Sequence, residues 1–134
     1  MKKGIILSFF MLLMITSCIN KKVNFEGIEL ITATEMRSIL ELEDIQLVDV
    51  RTSEEYDEKH IENAQNIDFR SPNFDKDISK LDKSKPVLVY CKKGVRSSKC
   101  AKKLKDAGFE KVYDLEGGLS KWEFSDILTI QKKS

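Results

Sequence analysis

The stretch from Pro86 to Lys105 constrains the fold of this chain more than any other. Val87-Leu88-Val89-Tyr90 is short, β-branched and aromatic, and it follows a proline, so it reads as a buried strand. Ser97-Ser98-Lys99-Cys100-Ala101-Lys102-Lys103-Leu104-Lys105 reads as a helix, with Gly108 placed to end it. Between them lies the loop Cys91-Lys92-Lys93-Gly94-Val95-Arg96. Amides of a loop that opens a helix can form an anion-binding nest, and the helix N-terminus adds partial positive charge. Lys92, Lys93 and Arg96 add formal charge, and Gly94 supplies a permissive backbone. All of these effects favour a thiolate at Cys91.

The remaining segments repeat the alternation. Ile28–Ile31 reads as a first strand, and Thr32-x-x-Glu35 as a capping box opening a helix to about Leu40. Gln46–Val50 is the next strand, followed by a helical turn over Ser53–Lys59, a brief strand near Ala64–Ile67 and a helix from Asn73 to Leu81. A strand at Lys111–Leu115 closes the series. Strands alternating with helices imply an α/β sandwich with a mostly parallel sheet. The path of the tail from Glu123 to Ser134 is open.

Residues 1–17 read as a signal peptide rather than as part of the fold. Lys2-Lys3 is a basic start, and Gly4–Ile15 is an apolar run too short for a span of about 20 residues. The segment ends in Ile15-Thr16-Ser17-Cys18, which resembles a bacterial lipobox. That resemblance implies cleavage before Cys18, lipid on its sulfur, and export with anchoring to a bacterial membrane on the periplasmic side or in the cell envelope. Residues 18–25 then form a lipidated tether, and 26–134 a single domain. The formal charge of +1 turns slightly negative once Lys2 and Lys3 are lost, which gives no argument for nucleic-acid binding. With one histidine and no Cys-x-x-Cys pair, no metal site or cofactor is expected.

Four ordered segments carry a family resemblance. Cys91-x-x-Gly94-x-Arg96-Ser97 behind a strand resembles the active-site loop of rhodanese-type sulfurtransferases. Leu47-Val48-Asp49-Val50-Arg51 with Glu54-Glu55-Tyr56, His60–Ile67, and Val112–Gly118 with Trp122 are similar to other segments of that family. Lys59 and Asn63 stand where the family pattern has glycines; Asn63 tolerates a left-handed backbone, and Lys59 implies an altered turn. The resemblance implies a rhodanese-like three-layer α/β/α sandwich with roughly five central strands. It also implies a catalytic Cys91 that takes a sulfane sulfur from thiosulfate or a related small anionic donor. The resulting persulfide passes that sulfur to cyanide or a thiol acceptor. A persulfide carrier or a binding and sensing module at the membrane surface is the alternative, and a monomer is expected.

The roles of the neighbours are open to differing degrees. Arg96 is read as orienting the donor's sulfonate, because a guanidinium contacts oxyanions bidentately. Lys92 and Lys93 steer anions, and Gly94 and Val95 shape the loop. Arg51 either lines the crevice or forms an ion pair, for which Glu55 is a candidate partner. Asp49 and Ser97 are structural beside the site, His60 is a hydrogen-bonded turn residue, and Trp122 packs in the core. Cys100 falls on the apolar side of its helix, as core or as a resolving thiol. Cysteine phosphatases that share this fold use Cys-x5-Arg; here Cys91 and Arg96 enclose four residues, which suits sulfur rather than phosphate.

Overall fold

The computed structural model describes residues 27–134. The expected lipidation at Cys18 and the leader before it lie outside the described residues. In chain order, β1 (Glu29–Ile31), α1 (Ala33–Leu42), β2 (Gln46–Asp49), α2 (Ser53–Glu58), β3 (Lys59–Ile61) and β4 (Gln65–Asn66) form the first half. The second half comprises α3 (Phe74–Ile78), β5 (Val87–Tyr90), α4 (Val95–Asp106), β6 (Val112–Leu115), α5 (Gly118–Trp122) and β7 (Ile130–Lys132). Five strands make one sheet in the order β1-β6-β5-β2-β4, and every neighbouring pair is parallel. β5 is central and all four of its residues are buried, as a parallel strand covered on both faces requires.

The two faces carry separate cores. Val48, Val50, Val87, Val89 and Val112 pack with Phe74 and Ile78 of α3 and Ala101 and Leu104 of α4. Leu47, Leu88, Tyr90, Tyr113 and Leu115 pack with Met36 of α1 and Leu119 of α5. This is the expected three-layer arrangement. Met36 and Leu104 are fully enclosed, and each such burial stabilises by about 1.5–3 kcal/mol. At Thr32 both arms of the capping box form: Glu35 Oε2 accepts from the Thr32 amide at 2.7 Å, and Thr32 Oγ1 accepts from the Glu35 amide at 3.3 Å. Lys99, Lys102 and Lys103 lie on the exposed side of α4, while Lys105 is half-buried and donates to the Glu110 carbonyl.

Several elements differ from the sequence expectation. The tail forms β7, which pairs antiparallel with β3 in a separate two-stranded ribbon. Lys59 is extended at φ −163° and leads α2 directly into β3, so the ribbon needs no glycine there. Asn63 takes the left-handed turn at φ 65°. His60 sits within β3 rather than in a turn; its ring stacks on Tyr56 and contacts the Tyr56 carbonyl and Gln131 Oε1. α3 is shorter than expected and has no side-chain cap.

Candidate active site

Cys91 leaves the C-terminal end of β5, where ligands of open α/β sheets bind. Its Sγ accepts a hydrogen bond from the Gly94 amide at 3.1 Å and lies 3.4 Å from the Ser97 hydroxyl. Gly94 has φ 100° and caps α4, a backbone that a side chain would strain. The loop is also held from behind. Leu119 and Ser120 of α5 donate their amides to the Cys91 and Lys92 carbonyls at 2.8 and 2.9 Å. Gly118 makes this approach possible: a Cβ there would fall 2.6 Å from both carbonyl oxygens. Two carbonyls are thereby occupied at the back while the Gly94 amide faces the sulfur.

The cations around the loop are not equivalent. Arg96 forms a two-pronged pair with Glu55 of α2, at 2.7 and 3.0 Å. The Arg96 hydrogen bond pulls the Glu55 carboxyl down to about 2, helped by Thr52, and the same bond raises the Arg96 pKa. The guanidinium read from the sequence as a sulfonate ligand is therefore already engaged by a carboxylate. Arg51 is buried and does form an ion pair, but with Asp49 rather than Glu55. Its Nη2 lies 2.7 Å from Asp49 Oδ2 and also donates to the Lys59 carbonyl. Burial works to lower the Arg51 pKa, but the Asp49 hydrogen bond and charge outweigh it and raise it. Lys92 and Lys93 are exposed, as is Val95 at the start of α4. A crevice of about 200 Å³ beside the loop brings together Arg51, Glu55, Lys59, Lys92, Leu119 and Glu123, and an ion pair joins Lys59 to Glu123.

Behind the sulfur lies a second set of groups. Ser97 is fully buried, and its hydroxyl also donates to the Gly94 carbonyl at 3.3 Å. Cys100 is fully buried in the core, and burial, with the Asp114 charge, pushes its thiol up to about 12, which disfavours a resolving thiolate. Asp114 of β6 is only 4% exposed, and its Oδ1 has no hydrogen-bond partner. Burial raises the Asp114 carboxyl to about 6, against a hydrogen bond from Ser97 that lowers it. Trp122 is half-buried against the second core and donates its indole N–H to the Glu116 carbonyl at 2.7 Å. Among the described residues, no group of three or more His, Cys, Asp or Glu is placed to hold a metal ion.

Sequence reasoning offered one of these participants, Glu55, to the wrong arginine and missed two others. Glu55 reads locally as the third residue of a capping box, which it also is, and nothing local reveals its long-range pairing with Arg96. Gly117-Gly118 stands out in the sequence only as part of a family-like segment, while Gly118 serves the close approach to the loop. Asp114 was legible: strand alternation puts it on the same face as Val112, and that face is core.

The Rhodanese-like domain family matches residues 32–125. The chain is 38% identical over 93 residues to the thiosulfate sulfurtransferase GlpE of Coxiella burnetii, covering 69% of this chain and 85% of that one. It is 30% identical over 92 residues to the thiosulfate sulfurtransferase GlpE of Shewanella oneidensis, covering 69% and 89%. A crystal structure of a rhodanese-like domain protein from Staphylococcus aureus superposes with a TM-score of 0.61 at 32% identity, covering 69% of this chain and 88% of that one. The parallel sheet, the cysteine loop at the end of its central strand and these similarities agree: the chain belongs to the rhodanese-like domain family.

Proposed function

We propose that the chain moves a sulfane sulfur from thiosulfate or a related anionic donor, through a persulfide on Cys91, to cyanide or a thiol acceptor. The enzyme class, a rhodanese-type sulfurtransferase, rests on the family membership and on the relatives that carry that name. The observation that carries the reading is the Cys91 sulfur at the end of β5, receiving the Gly94 amide at the N-terminus of α4.

In the first step the Cys91 thiolate attacks the outer sulfur of thiosulfate. The new bond joins Cys91 Sγ to that sulfur, while its bond to the sulfonate sulfur breaks and the electron pair leaves with sulfite. The negative charge now sits on the outer persulfide sulfur. In the second step a thiolate or cyanide attacks that sulfur, and Cys91 departs as the thiolate. This is covalent catalysis in two halves. Neither half needs a general acid, because both leaving groups depart as anions. The Gly94 amide and the α4 N-terminus stabilise negative charge on the sulfur, and the carbonyls held by Leu119 and Ser120 keep the loop from turning over.

One observation favours the carrier alternative. With Arg96 engaged by Glu55, the donor's sulfonate is left to Lys92 and Lys93, flexible point charges that hold an anion weakly. Steady-state thiosulfate:cyanide transfer, run beside persulfide loading, separates the readings. Loading with turnover supports the enzyme, loading without turnover the carrier, and no loading by thiosulfate, polysulfide or a mercaptopyruvate-type thiol removes both.

The same proposal places the protein outside the cytoplasm, held to a bacterial membrane by lipid on Cys18. The basic start, short apolar run and Ser17-Cys18 junction support it. Cells labelled with an alkyne fatty acid should tag the wild-type chain and not C18A; equal tagging of both would overturn the anchor.

A further inference from the structure

We propose that Glu55 is a specificity-determining residue for the sulfur donor. By holding Arg96 it turns the site away from the dianion thiosulfate and towards donors with at most one charge, chiefly the persulfide of a small uncharged thiol. This donor ranking rests on the sulfur-transfer reading; the charge discrimination at Cys91 does not.

Arg96 stands on the first turn of α4, at the end of the cysteine loop. A guanidinium can grip an oxyanion with two parallel hydrogen bonds, which the loop lysines cannot do. Both prongs are already in use: Nη1 donates to Glu55 Oε2 at 2.7 Å and Nη2 to Oε1 at 3.0 Å. Glu55 does not depend on Arg96 for its place. The Thr52 amide and hydroxyl donate to the same Oε2 at 3.0 and 3.1 Å, so the start of α2 anchors the carboxylate. Glu55 is also the better exposed partner, at 29% against 15% for Arg96, and it lines the crevice beside the loop. An anion entering the crevice therefore meets the carboxylate before the guanidinium.

The rest of the crevice is balanced in the same way. Its charged lining sets Arg51, Lys59 and Lys92 against Glu55, Glu58 and Glu123. Arg51 is buried and taken by Asp49, and Lys59 is paired with Glu123. Among the described residues, Lys92 is the only cation of this lining without an ion pair. A dianion gains little from a lining with no net charge, and it gives up the hydration of two charges on entering. A persulfide with an uncharged remainder escapes most of that cost.

The transfer from such a donor balances without help. The Cys91 thiolate attacks the outer sulfur of R–S–SH, and a bond forms between Sγ and that sulfur. The bond between the donor's two sulfurs breaks, and its electron pair leaves on the thiolate R–S−. The transferred sulfur keeps its proton and then releases it to water. One sulfur–sulfur bond replaces another, so no oxidant or reductant is required.

The test compares alkylation of Cys91 by iodoacetate, a monoanion, and by neutral iodoacetamide at low ionic strength, with the adduct located by peptide mass. Both reagents react with the same thiolate, so the ratio of their rates reports charge discrimination and not the thiolate population. Glu55→Gln should raise the iodoacetate:iodoacetamide ratio about threefold, and Glu55→Ala at least as much. In an Arg96→Gln background the same E55Q change should raise it by no more than about 1.5-fold, because no guanidinium is released. For sulfur loading, E55Q should raise kcat/KM for thiosulfate about tenfold, and that for the persulfide of 2-mercaptoethanol by less than about threefold. Far-ultraviolet circular dichroism confirms that each variant is folded, and E55A serves as the second variant. An unmoved alkylation ratio, an equal rise with and without Arg96, or an equal gain for both donors overturns the inference. A shifted ratio in a protein that no donor loads would refute the sulfurtransferase and leave the charge discrimination intact.

Discussion

Replacing Glu55 by Gln isolates the pair that fixes Arg96 beside the cysteine loop. The Glu55 carboxyl is pulled from an ordinary 4.5 down to about 2, chiefly by the Arg96 hydrogen bond. A shift of that size corresponds to roughly 3 kcal/mol if taken at face value. The two side chains are 15% and 29% exposed, so water screens part of this. Discounted for that, the pair stabilises the fold by about 1–2 kcal/mol. The sign follows from the direction of the shift. A depressed carboxylate contributes stability above its unfolded pKa near 4.5 and loses it as pH falls through about 2. Urea unfolding of wild type and E55Q should therefore differ by about 1–2 kcal/mol at pH 7 and converge as the pH approaches 2. Thr52 retains its cap in E55Q, because a glutamine oxygen can accept from the Thr52 amide. Equal stability at neutral pH, or a gap that persists unchanged into acid, would refute the reasoning.

Gly118→Ala should be far more damaging than an average surface change. Its Cβ meets the Lys92 carbonyl at 2.6 Å from a left-handed backbone, so a loss of about 2 kcal/mol or more in urea, together with slower persulfide loading, is expected. For Asp114→Asn the stability effect has the opposite sign. A carboxyl raised from 3.8 to about 6 opposes folding once ionised, so D114N should gain about 1–3 kcal/mol at pH 7 and none below pH 3.8. Lys92→Gln with Lys93→Gln should raise KM for thiosulfate several-fold and flatten its salt dependence, with kcat little changed; an unaltered KM would remove these lysines from donor binding.

What could be read from the sequence was what local chemistry determines. The β5 strand, the cysteine loop, the Thr32 capping box and the Gly108 stop all follow from residues within one or two turns of each other. The alternation of strand and helix was enough for the layered fold, because a parallel strand must be connected by a crossover. Partner choice over long distances was not legible. Arg51 has Asp49 and Glu55 on either side in sequence, and only the packing of α2 over the loop gives Glu55 to the distant Arg96 and leaves Asp49 to Arg51. The β3–β7 ribbon was missed for the same reason: Ile130-Gln131-Lys132 is a short, half-polar stretch whose pairing comes from Lys59–Ile61, far away in sequence. Gly117 and Gly118 announced a special backbone but not that its purpose was to bring two amides onto the Cys91 and Lys92 carbonyls.

The central claim is that sulfur travels on Cys91, and intact-protein mass after brief thiosulfate treatment tests it most directly. Wild type should gain the mass of one sulfur atom, lose it on adding cyanide, and yield thiocyanate in equal amount, while C91S gains nothing. A wild-type protein that stays unloaded, or a C91S protein that loads as well as wild type, contradicts the account.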